Sequence, residues 1–137
     1  MIEPTLALQT AIRGALIADA TVTALVVADH IRAGTTRPDN LPAIIIADGV
    51  TQYLGHSSGK QYIARVLLDI HVWTIAGGLD QAKHIGFAVR NALVHTPASA
   101  DCSIDEFKLT HAVWPRDPDK NYGHGVLSVE AVLRWFV

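Results

Sequence analysis

From residue 64 to residue 96 the chain reads ARVLLDIHVWTIAGGLDQAKHIGFAVRNALVHT, and its apolar positions change period partway. Val66, Leu68, Ile70 and Val72 alternate with Arg65, Asp69, His71 and Trp73, the period of a strand with one buried face. Beyond Gly77-Gly78 the spacing lengthens. Ala82, Ile85, Gly86, Val89 and Leu93 fall on one helical stripe, Asp80 supplies an acid near the helix start, and Thr96-Pro97 stops the run. A strand feeding a helix that folds back to cover it is the seed of a two-layer domain.

The same reading extends to both ends. Pro4 suits a first helical turn, where its missing N–H has no partner to lose, and Leu8, Ala11, Ile12, Ala15 and Leu16 form one stripe of a helix over 3–18. Asp19 or Thr21 caps a shorter helix with Val22, Leu25 and Val26 on its apolar face, and RAGTTRPDN, 32–40, is a loop. Leu41-Pro42 opens a strand, AIIIADGV, that ends near Leu54, with proline tolerable only at a strand's beginning or edge. GHSSGK, 55–60, turns into the strand at 62–75, so the two form a long hairpin. After a loop at 98–103, Phe107, Leu109, His111 and Val113 alternate with Lys108, Thr110, Ala112 and Trp114 in a third strand. PRDPDKNYGHG, 115–125, is dense in turn formers, and Leu127, Val129, Ala131, Leu133 and Trp135 alternate through a fourth strand.

The order α-α-β-β-α-β-β, with no repeat or linker, predicts one α+β domain over 1–137: a two-layer sandwich whose four-stranded, mostly antiparallel or mixed sheet is covered by helices. If the central helix returns along the sheet, the third strand runs in the direction of the second, and the GHSSGK and PRDPDKNYGHG loops project from opposite ends.

Half of the 137 residues are apolar and 18% are charged. The mean hydropathy of +0.25 is high for an isolated monomer, unless alanine inflates the count. Association with other chains is the simplest use of that surplus. A net charge of -2 leaves no basic patch to grip phosphates, and no apolar stretch approaches the roughly 20 residues that span a bilayer. With no basic region followed by an apolar run at the N-terminus, a soluble cytoplasmic product is expected. The one cysteine, Cys102, has no partner for an internal disulfide and no surrounding nucleophile motif.

Candidate chemistry is thin. GHSSGK misses the phosphate-binding loop, since three residues rather than four separate Gly55 from Gly59 and Gln61 follows Lys60 where a hydroxyl is needed. Seven histidines invite a metal, yet none forms HExxH or a Cys/His finger. By strict alternation His71 and His111 project from opposite faces of the sheet. Gly-x-Ser-x-Gly is absent and no acid pair stands in an apolar setting, so neither an enzyme nor a cofactor is expected.

What stands out is apolar surface. With Val66, Leu68, Leu109 and Leu133 toward the helices, the other sheet face carries Asp69, His71, Trp73, Lys108, Trp114, Glu130, Val132, Arg134 and Phe136. On the central helix Lys83, Phe87, Arg90 and Val94 share a stripe of their own. Either loops or the N-terminal segment cover these places, or they are subunit contacts, which favour aromatics with arginine.

LQTAIRGALIADATVTALV, Ile31, LPAIIIAD, the strand ending VWTIAGG, the helix closing on NALVHT and the final SVEAVLRWFV together resemble the tail terminator (tail completion) proteins of long-tailed phages and gene transfer agents. The resemblance covers nearly the whole chain and rests on element order and apolar signatures, with no catalytic motif. It implies a fold similar to the phage lambda tail terminator and a hexameric ring that stops tail tube polymerisation. Its implied partners are the major tail tube protein and the head-closure or stopper protein of the connector, with DNA only passing through the lumen. The place implied is the tail-head junction of a virion, after synthesis in the bacterial cytoplasm. On this reading Trp73, Lys83, Phe87, Arg90, Val94, Trp114 and Phe136 are subunit-interface candidates. Gly55, His56, Lys60, Arg116, Asp119, Lys120 and Tyr122 are partner-binding loop candidates. The rivals are another neck component, a small metal-dependent enzyme using His71 or His111, and a ligand-binding module.

Overall fold

The computed structural model describes residues 2–35, 37–75, 78–118 and 122–136. Two helices open the chain, α1 (Pro4–Ile17) and α2 (Ala20–Leu25), followed by a 3-10 turn (Ala28–His30) and strand β1 (Ile31–Ala33). Then come β2 (Ala43–Ile46), β3 (Val50–Ser57), β4 (Gln61–Thr74), helix α3 (Gly78–Ala92), β5 (Ser103–Val113) and β6 (Gly123–Phe136). The sheet runs β1-β2-β4-β6-β5, with β3 beside β4 in line with β2.

The α+β class, the hairpin and the strand-helix unit follow the sequence pattern, but the described sheet has six strands rather than four. One addition is β1, three residues lying parallel to β2 inside the stretch expected to be loop. The other comes from a break in the first long strand. Ile46 pairs with Ile70 and Val50 with Leu67, so three residues, Ala47 to Gly49, stand opposite two. Gln9, buried on α1, donates through Nε2 to the carbonyls of Ile46 (3.2 Å) and Ala47 (2.9 Å), so its side chain meets the backbone where the ladder lapses.

All three helices lie on one face. Glu3 caps α1 by accepting from the N–H groups of Thr5 (2.9 Å) and Leu6 (3.3 Å), while its other carboxylate oxygen accepts from Thr51 Oγ1 on β3 (2.6 Å). Asp19 caps α2 through Val22 N–H at 3.0 Å. Leu8, Ile12 and Leu16 of α1, Ile85 and Val89 of α3 and Leu93 just after it bury against Val66, Leu68, Ile70, Val72, Leu127 and Leu133 of the sheet. Each such side chain contributes roughly 1.5–3 kcal/mol by leaving water. Because β4 is antiparallel to β6 and β6 to β5, β5 runs in the direction of β4. The 55–60 segment and the described residues of 115–125 are therefore at opposite ends of the sheet, as expected.

Candidate assembly surfaces

The face of the sheet away from the helices is polar through its middle. Glu130 pairs with Arg65 (3.2 Å) and Lys108 (3.7 Å), Arg134 with Asp105 (2.9 Å), and Ser128 Oγ donates to Asp69 (2.8 Å). An open groove of about 380 Å³ crosses it, lined among others by Asp48, Asp69, His111 and Glu130.

At one end of this face the polar surface gives way to an aromatic clasp. Trp73 is 4% exposed, packed with Ala43, Ile45, Leu41 and Tyr122 in a small second core. Its ring stacks on His124 (centroids 3.8 Å), meets Tyr122 edge-on (6.3 Å) and lies under the Arg37 guanidinium (5.0 Å). Arg37 also bonds Asp117 at 2.9 Å, which joins the segment before β2 to the segment before β6. Of the two expected outcomes for Trp73, cover by loops is the one the structure shows.

His124 was expected in a loop, yet β6 begins at Gly123 and carries His124 opposite Trp73. His71 Nδ1 and His124 Nε2 lie 2.9 Å apart and share a hydrogen bond. Sequence reading missed this pair because Gly123 and Gly125 mark a turn by composition. Counting the alternation back from Leu127 through Val126 would have found it.

Burial pushes the His71 pKa down, opposed by Asp69. Burial also pushes His124 down, and with neighbouring His71 and Arg37 against Asp117 it falls to about 4. Both depressions disfavour the cation, so between about 4 and 6.5 the unfolded chain binds more protons than the folded one. The stabilisation is present above pH 6.5 and is lost as pH falls through the folded value. Thermal unfolding of wild type is therefore expected to move to lower temperature from pH 6.5 to 4, and His124→Gln to show a shallower slope over that window.

Trp114 is not on the polar face. Leu109 pairs with Val129 and His111 with Ser128, so the register shifts at Thr110 and every later side chain changes sides. Trp114 thus packs against the main core, over Gly86 of α3 and Gly125 of β6. The same shift brings His111 to the face that His71 occupies, against the expectation of opposite faces, although β6 lies between their strands. Among the described residues no three His, Cys, Asp or Glu side chains cluster as metal ligands would.

Of the expected helix stripe, Lys83, Phe87 and Arg90 are on α3, whereas Val94 lies two residues past its end at Ala92. Lys83, Phe87, Arg90 and Val94 are all exposed, Phe87 at 66%. Phe136, also largely exposed, lies at the far end of β6 opposite Gln61, beside the β3–β4 hairpin. Gly55 and His56, expected in a loop, belong to β3 instead: Gly55, with φ +93°, sits at a bulge opposite Ile63 and His56 pairs with Tyr62, and His56 and Lys60 are exposed near the turn of the hairpin. Arg116 is exposed at the other end, Tyr122 is held against Trp73 and Arg37, and Asp119 and Lys120 lie outside the described residues. No described helix is long and apolar enough to cross a membrane.

A family model described as "Tail completion protein gp17" matches residues 10–134. No curated protein sequence matches the chain. Among solved structures, a chain of "Virion of native gene transfer agent (GTA) particle" has a TM-score of 0.79 at 24% identity, over 93% of this chain and 95% of that one. "Structure of bacteriophage SPP1 gp17 protein" has a TM-score of 0.56, also at 24% identity, over 93% of this chain and 89% of that one. At that identity the likeness is one of fold.

Proposed function

The chain belongs to the tail completion protein gp17 family, and from that premise we propose that it is a hexameric ring that ends tail tube polymerisation and joins the tail to the head connector. The family match over nearly the whole chain carries the reading. The structure adds support of a physical kind: exposed apolar side chains include two separate groups, Phe87 with Val94 at the α3 side and Tyr53, Leu54, Tyr62 and Phe136 around the β3–β4 hairpin and the end of β6, beside others on α1 and at the strand ends. A cyclic assembly uses two different patches per subunit, whereas a twofold dimer uses one patch twice. The hairpin end with His56 and Lys60 and the segment with Arg116 lie at opposite ends of the sheet. Such a placement suits contacts with tail tube on one side and head on the other. The role is structural, with assembly contacts in place of catalysis.

Loss of the gene is expected to give overlong tails and unjoined heads by electron microscopy; tails of normal length carrying tube ends that fail only to accept heads would point to another neck component instead. Phe87→Asp is expected to leave folding within about 0.5 kcal/mol of wild type, because the side chain is exposed, and to abolish infectious or DNA-transferring particles. Particles completed normally by that variant would remove the helix stripe from the interface.

A further inference from the structure

We infer that the free edge of β3 pairs with the free edge of β5 of a second copy of this chain, so that the sheets of successive subunits continue as one wall. The inference rests on the ring reading and adds the seam.

Strand direction points to it first. β3 is antiparallel to β4, β4 to β6 and β6 to β5, so across this part of the sheet the four strands alternate in direction. Repeating an even-numbered set by rotation about an axis along the strands puts β5 beside the next β3 with opposite directions, at every junction alike. An odd-numbered set would have made each junction parallel.

Level agrees with direction. Ile63 to Leu67 of β4 pair with Gly55 to Val50 of β3 on one side and with Arg134 to Glu130 of β6 on the other. Those β6 residues pair in turn with Ser103 to Lys108 of β5. The two free edges therefore stand at one height, and rotation preserves height apart from the stagger that strand tilt imposes. Above β3 the next lane is already filled by β1, which pairs with β2, so an incoming strand is stopped there.

The chemistry of the edges completes the case. Exposed edges of monomers are guarded by charge or proline, yet β3 reads VTQYLGHS with no charged residue. Tyr53, the most exposed large hydrophobic side chain among the described residues at 72%, points to the helix side of β3. On the same side of β5 stand Ile104 and Phe107, each only half-buried. Bringing the edges together covers these three side chains with one another. β5 does carry charge, but Glu106 and Lys108 point to the polar face, and Lys108 and Asp105 are paired within the subunit, with Glu130 and Arg134 of β6.

Cross-linking tests the seam on the full chain in the presence of tail tubes. In a Cys102→Ser background, Gln52→Cys on β3 is mixed in turn with Ser103→Cys, Glu106→Cys, Lys108→Cys or His111→Cys on β5, and a short bismaleimide is added. All five positions are on the polar face and exposed. At least one mixture is expected to yield cross-linked dimer on the order of a hundredfold above that from either variant alone, because a seam replaces collision by proximity, and the best partner reports the stagger. Wild type that forms multimers on tail tubes while no mixture cross-links, or while Gln52→Cys links to itself, overturns the seam and leaves the ring standing. Wild type that stays monomeric on tail tubes overturns both.

Discussion

Gly123→Ala is expected to lower the midpoint of thermal unfolding by roughly 10 °C, a loss of ~3 kcal/mol for a domain of this size. Gly123 is buried where β6 starts, opposite Thr74, and an added Cβ would fall inside the van der Waals radii of the Gly78 carbonyl and Thr74 Oγ1. Those two atoms are bonded to each other, Thr74 Oγ1 donating to Gly78 O at 2.7 Å. Relief therefore requires moving the end of β4, the start of α3 or the start of β6, and the first two belong to one continuous unit. Gly14→Ala is the matching control. In the interior of α1 its Cβ meets nothing within 4 Å, and alanine's better helix propensity should stabilise by about 0.5–1 kcal/mol. Opposite signs from one chemical change, read by calorimetry, would tie the Gly123 loss to the β6–α3 junction; equal and small shifts would show that the junction yields.

The parts of the fold legible in sequence are those where one period runs long enough to outvote local noise. β4 and α3 are of this kind, as is the stripe of α1. The run of isoleucines signals a strand correctly but conceals its break, because the group that bonds the backbone there is a glutamine far away on α1. β1 is three residues long, too short to show a period; it is held by parallel pairing with β2 and by Arg13 of α1, whose Nε donates to the Ile31 carbonyl at 2.8 Å. Alternation puts Trp73 on the correct face and allows for cover by loops, but it does not name the covering residues, since Arg37 and Tyr122 arrive from segments distant in sequence and rich in turn formers. Among the assembly candidates the helix stripe keeps its exposure, whereas Trp73 and Trp114 are engaged within the subunit.

Trp114 shows most plainly what a bulge hides, and a double-mutant cycle reads it out. Strict alternation along β5 puts Trp114 on the polar face, where it would touch neither Gly125 nor α3. The observed register shift at Thr110 turns it inward instead, with ring atoms Cη2 at 2.6 Å from a Cβ built on Gly86 and Cε3 at 2.7 Å from one built on Gly125. Trp114→Ala is expected to cost ~3 kcal/mol, toward the low end for an indole because the side chain is only half-buried. Gly125→Ala should cost ~2 kcal/mol by driving a methyl into that ring. With the indole gone the methyl has room, so the double variant should be less destabilised than the sum by about 1–2 kcal/mol. Urea unfolding with unchanged m-values measures the three differences. Additivity would return Trp114 to the polar face and to the list of subunit contacts. Coupling of the expected sign keeps it in the core, and any effect of its loss on tail completion then follows from stability, unlike that of the exposed Phe87.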